Sequence, residues 1–194
     1  MTSLSAARQT EESADRLLRE AGALIEGHFE LTSGRHSGVY VEKFRLLERP
    51  PQTEALCRMI ADWARELSPQ VVAGPTTGGI IISYEVAKHL GLRSIFAEKA
   101  ERGGRSFQRG FTIAPGERVL VVDDVLTTGG SVRDVLAAVR EMGGEPLAVA
   151  VLIDRSGGKA DFGVPLFSCL ALDLPSYDPG ECPLCERGLA LTKT

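Results

Sequence analysis

No apolar run in this chain approaches the roughly 18 to 20 residues that a membrane-spanning helix requires. A basic surplus is also lacking. Lys and Arg number 22 against 26 Asp and Glu, and the net charge of −4 argues against non-specific nucleic-acid binding. Basic groups gathered in one cleft around a small anion remain compatible with that balance. The first residues, Met1 to Glu20, are polar and carry acids, unlike a secretory signal, so the cytoplasm is the expected compartment. The four cysteines, Cys57, Cys169, Cys182 and Cys185, are accordingly expected as reduced thiols rather than a disulfide framework. Cys182-Pro-Leu-Cys185 is a lone CxxC, whereas zinc usually takes four ligands. It reads as a C-terminal turn with buried thiols; a metal site completed by a symmetry mate and a redox pair are the alternatives. Neither a linker nor an internal repeat divides the chain. With 194 residues, 43% of them hydrophobic, residues 1–194 are expected to form one α/β domain.

Thr10-Glu11-Glu12 has the form of a helix start, and Ala14, Leu17, Leu18 and Ala21 follow at helical spacing up to Gly22. From Gly27 to Phe44 short alternating stretches around Ser33-Gly34 predict a small hairpin. A second helix follows Pro50-Pro51, with Leu56, Ile60, Trp63 and Leu67 on one face. Strands and helices then alternate. Val71–Ala73 leads into a helix ended by Gly91, and Ser94–Ala97 into a polar stretch, Glu98 to Gly110. Arg118–Val122 precedes the helix Ser131–Met142, and Leu147–Ile153 is another buried strand. That rhythm predicts a doubly wound, mainly parallel sheet with a small N-terminal hood.

The chemistry concentrates in Val119-Leu-Val-Val-Asp123-Asp124-Val125-Leu126-Thr127-Thr128-Gly129-Gly130-Ser131. A buried strand carries two carboxylates to its C-terminal end, where open α/β sheets place their ligands. The loop behind it is built of hydroxyl residues and glycines and opens a helix. Backbone N–H groups, hydroxyls and the helix dipole can together hold a phosphate. No lysine follows the glycines, so this is not a Walker A loop, and the dinucleotide GxGxxG is absent. Paired acids ahead of a phosphate loop suit a ligand with both sugar hydroxyls and a phosphate.

This segment resembles the phosphoribosyl pyrophosphate motif of the type I phosphoribosyltransferases. The resemblance implies that Asp123 and Asp124 hold the ribose hydroxyls, that Val125 and Leu126 fill the motif's variable positions, and that Thr127, Thr128, Gly129, Gly130 and Ser131 wrap the 5′-phosphate. It also implies Mg2+, carried mainly on the pyrophosphate of the substrate. Phe29-Glu-Leu-Thr-Ser33-Gly34-Arg35-His36-Ser37, with Tyr40 downstream, is similar to the hood of the orotate-using enzymes of that family, here about residues 27–44. Arg155, after Ile153-Asp154, matches the place of an orotate-binding arginine, and a guanidinium fork suits a carboxylate that purines and uracil lack. Gly74-Pro75-Thr76-Thr77-Gly78-Gly79 resembles the turn that approaches the pyrophosphate.

The chain departs from the family pattern at Thr32 and Gly78, where many relatives carry lysine, and in its loop, about residues 98–110, which has no histidine. The pyrophosphate contacts then fall to Lys99, Arg102, Arg105 and Arg109, with Lys99 and Arg102 favoured as catalytic. The resemblance further implies a homodimer in which this loop closes over the partner's site. Two other readings compete. One is transfer to a purine or uracil, which Arg155 and the hood speak against. The other is a ligand-sensing DNA-binding regulator, which would need a basic face and a recognition helix; the N-terminal helix carries Glu11, Glu12 and Asp15 instead.

Overall fold

The computed structural model describes every residue except Met1 and Thr32, with side chains from Arg8 onward; the departure at Thr32 therefore lies outside the described residues. In chain order the elements are α1 (Thr2–Glu20), the strands β1 (Leu24–Glu30) and β2 (His36–Val41), α2 (Lys43–Leu47) and α3 (Pro50–Arg65). Then come β3 (Val71–Pro75), α4 (Gly78–Leu90), β4 (Arg93–Lys99), β5 (Arg105–Phe107), β6 (Arg118–Leu126) and α5 (Gly130–Glu141). The chain closes with β7 (Glu145–Asp154), β8 (Leu166–Ala171), β9 (Ser176–Tyr177), α6 (Pro183–Glu186) and β10 (Thr192–Lys193). No helix among the described residues is long and apolar enough to cross a membrane.

The main sheet has the order β5-β4-β3-β6-β7-β8, parallel except for the antiparallel β5. Strand β6 explains the layering. Its residues alternate, Leu120 and Val122 packing with Leu18, Leu56, Ile60 and Ile82 of α1, α3 and α4 on one face. Val119 and Val121 pack with Val132, Val135 and Val139 of α5 on the other. A strand covered on both faces has no polar position to spare, which is why the sequence shows a continuous apolar run. This is the doubly wound sheet that the strand–helix rhythm predicts.

Three expectations need correction. Helix α1 starts at Thr2 and not at Thr10, because Ala6-Ala7-Arg8-Gln9 are good helix formers with no breaker among them. It ends at Glu20, and Gly22, with a φ of 67°, provides the left-handed turn that follows. The polar stretch 98–110 is largely ordered as a hairpin. Lys99 ends β4 and pairs with Arg105 of β5, which leaves only residues 100–104 as the turn. Phe107 and Phe111 pack against the α5 side of the core, and Phe111 meets Phe96 edge-on at 5.0 Å. Lastly, the hood is not N-terminal alone. Its sheet has the order β10-β1-β2-β9, so two strands from the C-terminal end flank the expected hairpin. Each of those strands pairs over only two residues, too few to write a period-two pattern.

Candidate active site

The C-terminal ends of β3, β6 and β7 meet beneath the hood and form a cleft of about 410 Å³. Along the sheet the chain steps outward from β3 to β4 in one direction and from β6 to β7 in the other. The β3/β6 boundary is thus the switch point where α/β sheets open a crevice for ligands.

Strand β6 places Asp123 and Asp124 on the cleft floor, 8% and 4% exposed. Asp123 accepts a hydrogen bond from the Asp124 N–H at 2.8 Å. Burial, followed by the negative charge of Asp124, pushes the Asp123 carboxyl up to about 7. Asp124 is compensated instead. Its Oδ1 accepts from the Val125 N–H at 2.7 Å and from Lys43 Nζ at 3.1 Å, and the same ammonium lies 2.9 Å from Oδ2. The sequence reading missed Lys43. The one local signal was a lysine two residues after β2, since its partner lies 81 positions away.

Gly78 has a steric reason. A Cβ there would stand 1.8 Å from Asp124 Oδ2, so no side chain fits without displacing the carboxylate. Gly74 and Gly79 allow the strand end and the helix start to touch: a Cβ on Gly74 would lie 2.3 Å from the Gly79 carbonyl oxygen. Between them Thr76 and Thr77, joined by a cis peptide, line the cleft.

Residues 123 and 125–132 enclose a smaller pocket of about 70 Å³ at the N-terminus of α5, little more than two water volumes. It includes Thr127, Thr128, Gly129, Gly130 and Ser131, and the first N–H groups of a helix have no intrahelical partners. Gly129, at φ 80°, makes the turn; a Cβ on it would meet Arg133 and Phe162 at 2.9 and 3.0 Å. Val125 is half-buried. The Leu126 side chain sits in the apolar core, and its carbonyl accepts from the Arg155 N–H at 2.8 Å.

Arg155 extends from the end of β7 to line the cleft with Tyr40 of the hood. Its Nε is buried without a hydrogen-bond partner among the described residues. Burial pulls its pKa below the ordinary arginine value, the sign of a charge that lacks compensation. Arg105 of β5 donates to Thr76 Oγ1 at 3.0 Å and to Ser131 Oγ at 3.3 Å, and so bridges the Thr76-Thr77 turn and the phosphate-sized pocket. Lys99 and Arg102 are exposed and do not line the cleft. Arg109 is held in a two-pronged pair with Glu98, both contacts at 2.9 Å.

Comparison with known proteins agrees with this geometry. The family described as "Phosphoribosyl transferase domain" matches residues 46–176. The orotate phosphoribosyltransferase of Desulforamulus reducens is 47% identical over 177 residues, 91% of this chain and 92% of that protein. The enzyme of the same name from Thermotoga maritima is 49% identical, over 91% and 94%. Among solved structures, orotate phosphoribosyltransferase from Aeropyrum pernix aligns with a TM-score of 0.71 at 28% identity, over 81% of this chain and 92% of that one. An apolar strand that carries two acids near its C-terminal end, beside a phosphate-sized pocket, is thus read consistently by sequence, geometry and relatives: the chain belongs to the phosphoribosyltransferase domain family, in its orotate phosphoribosyltransferase branch.

Proposed function

We propose that the protein transfers the 5-phosphoribosyl group from phosphoribosyl pyrophosphate to orotate, giving orotidine 5′-monophosphate and pyrophosphate, in the cytoplasm. The observation that carries this reading is the unpartnered, partly buried Arg155 guanidinium on the wall of the cleft that holds Asp123 and Asp124. A half-desolvated cation is costly until an anion meets it. Orotate brings a carboxylate to that place, and adenine or uracil does not.

The residues divide the work. Asp123 and Asp124 accept hydrogen bonds from the ribose hydroxyls, and the segment from Thr127 to Ser131 donates to the 5′-phosphate. Arg155 holds the base by its carboxylate, with Tyr40 against it. Thr76, Thr77 and Arg105 face the pyrophosphate side, and Lys99 and Arg102, exposed and outside the lining of their own cleft, serve the pyrophosphate of a partner's site. Positive charge develops on the sugar as pyrophosphate leaves, and the two carboxylates beneath it stabilise that charge. The carboxylate oxygens of Asp123 and Asp124 are hard donors of the kind magnesium accepts, though Lys43 already occupies Asp124. Magnesium would be held mainly by the substrate's pyrophosphate, with Asp123 as the nearest protein carboxylate free of Lys43, and would neutralise the leaving group.

A homodimer with shared sites completes the proposal. Phe44, Ile81 and Tyr84 are 54%, 43% and 66% exposed, on α2 and one face of α4, elements that pack together beside the cleft. Large apolar groups gathered in this way fit a contact with a second copy.

Pyrophosphate release measured with orotate, adenine, guanine and uracil, each with and without magnesium, tests the activity. Release only with orotate and magnesium is expected. Equal release with another base would overturn the substrate, and release unchanged by chelation would overturn the metal.

A further inference from the structure

The small hood sheet has a physical problem. Its outer strands β9 and β10 each pair over two residues, and pairings so short are marginal in water. Yet the chain between them, residues 178–191, tucks the Cys182 side chain fully out of solvent against the hairpin. Four side chains meet there: His28 of β1, His36 of β2, and Cys182 and Cys185 at the start of α6. His28 and His36 are 4% and 5% exposed, Cys182 is 1% exposed, and Cys185 faces solvent.

We propose that His28, His36, Cys182 and Cys185 bind one zinc ion in a closed tetrahedral site that pins the C-terminal segment to the hood. The spacing supports this. His28 Nε2 lies 3.1 Å from His36 Nδ1, 3.6 Å from Cys182 Sγ and 3.7 Å from Cys185 Sγ, and His36 Nδ1 lies 3.3 Å from Cys185 Sγ. Around a tetrahedral zinc with ordinary bond lengths, nitrogens stand about 3.3 Å apart and nitrogen and sulfur about 3.6 Å. All four ligand atoms lie within 4.8 Å of one another.

The surroundings fix the ligands as a zinc site requires. His28 Nδ1 is 2.9 Å from the Leu189 carbonyl. An N–H donated there leaves the Nε2 lone pair facing the cluster, the outer hydrogen bond that orients metal-bound histidines. The register of β1 slips between Glu26 and Phe29, a bulge at Gly27-His28 of the kind that re-aims a side chain. Two thiols that release their protons as zinc binds leave a neutral centre, the form that burial tolerates. Two soft sulfurs with two imidazoles favour zinc over the hard magnesium of the catalytic cleft. The lone CxxC is in this way completed to four ligands by histidines of the same chain, and the site couples to catalysis only by position: His36 shares β2 with Tyr40.

Elemental analysis of untagged protein is expected to find about one zinc per chain, lost in C182S/C185S. Cobalt exchanged into the protein should give tetrahedral visible bands and a thiolate charge-transfer band, both absent from the double variant. Chelation of the wild-type protein should lower its melting temperature by roughly 10 °C, and zinc should restore it. If C182S/C185S does not fold, the cobalt spectrum and the chelation shift of the wild type still decide. A protein that as purified holds no zinc and takes none up, an octahedral cobalt spectrum, or a Cys182–Cys185 disulfide in the freshly isolated protein would each overturn the site. Activity in excess magnesium is not the readout, so failure of the zinc site leaves the proposed reaction standing.

Discussion

The Asp123 carboxyl stands at about 7 in the fold, against an ordinary value near 4. Between those values the folded chain keeps a proton that the unfolded chain has lost. Stability from this group therefore falls as pH rises through that window and is level above it. Asp123→Asn removes the penalty and should raise the melting temperature at pH 8 by several degrees, with the gain gone at pH 4. Calorimetry at the two pH values checks this, and an equal shift at both would show that charge is not the cause. The same variant should lose most of its turnover, as should Asp124→Asn, because an amide is a poorer acceptor for ribose hydroxyls beside a cationic carbon. Arg155→Ala should raise the KM for orotate by about 10- to 150-fold, the worth of a charged hydrogen bond, and that for phosphoribosyl pyrophosphate far less. Equal changes in both constants would remove Arg155 from base recognition. The acids and Arg155 were legible in the sequence because each lies at a strand end in a recognisable local pattern. Lys43 was not, since its role depends on a contact across 81 positions that no local pattern encodes.

Elements were legible in proportion to their length and burial. Strand β6 and helix α5 announce themselves by an apolar run and a helical stripe, and both stand where expected within a few residues. β9, β10 and α6 span two, two and four residues and carry no periodicity to read. The β4–β5 hairpin was hidden for another reason. Its charged residues suggest a solvated loop, while its order comes from Phe107 and Phe111 packing on a core assembled elsewhere in the chain. That hairpin has a consequence for substrate binding. Arg105 is carried on β5, a strand and not a free loop, and ties Thr76 to Ser131 before any ligand arrives. Arg105→Ala should therefore raise the KM for phosphoribosyl pyrophosphate at least tenfold and leave the melting temperature within a few degrees, since the bonds lost are partly exposed. Steady-state kinetics and a thermal scan on one preparation measure both. An unchanged KM would mean that Arg105 is only a structural tie.

At the scale of the whole molecule, the placement of Lys99 and Arg102 poses a sharper question than either residue does alone. Arg102 lies in the hairpin turn and Lys99 at the end of β4 opposite Arg105; both are exposed, while Arg105 turns toward the cleft of its own chain. Neither residue lines its own cleft, and a two-fold partner docked on Phe44, Ile81 and Tyr84 would bring a second cleft to them. Light scattering should give the mass of a dimer, and Tyr84→Glu should shift it toward monomer with loss of activity. A mixing experiment then separates a shared site from mere association. Asp124→Asn protein lacks a working cleft but keeps its hairpin, and Lys99→Ala/Arg102→Ala protein lacks the hairpin cations but keeps its cleft. Each homodimer is expected to be nearly inactive. In a heterodimer the intact hairpin of one chain closes over the intact cleft of the other, so roughly half the activity of a wild-type dimer should return. Native mass spectrometry can verify that subunits have exchanged. Exchange without recovery would assign each hairpin to its own chain, and the dimer contact on α4 would then be a matter of stability and not of catalysis.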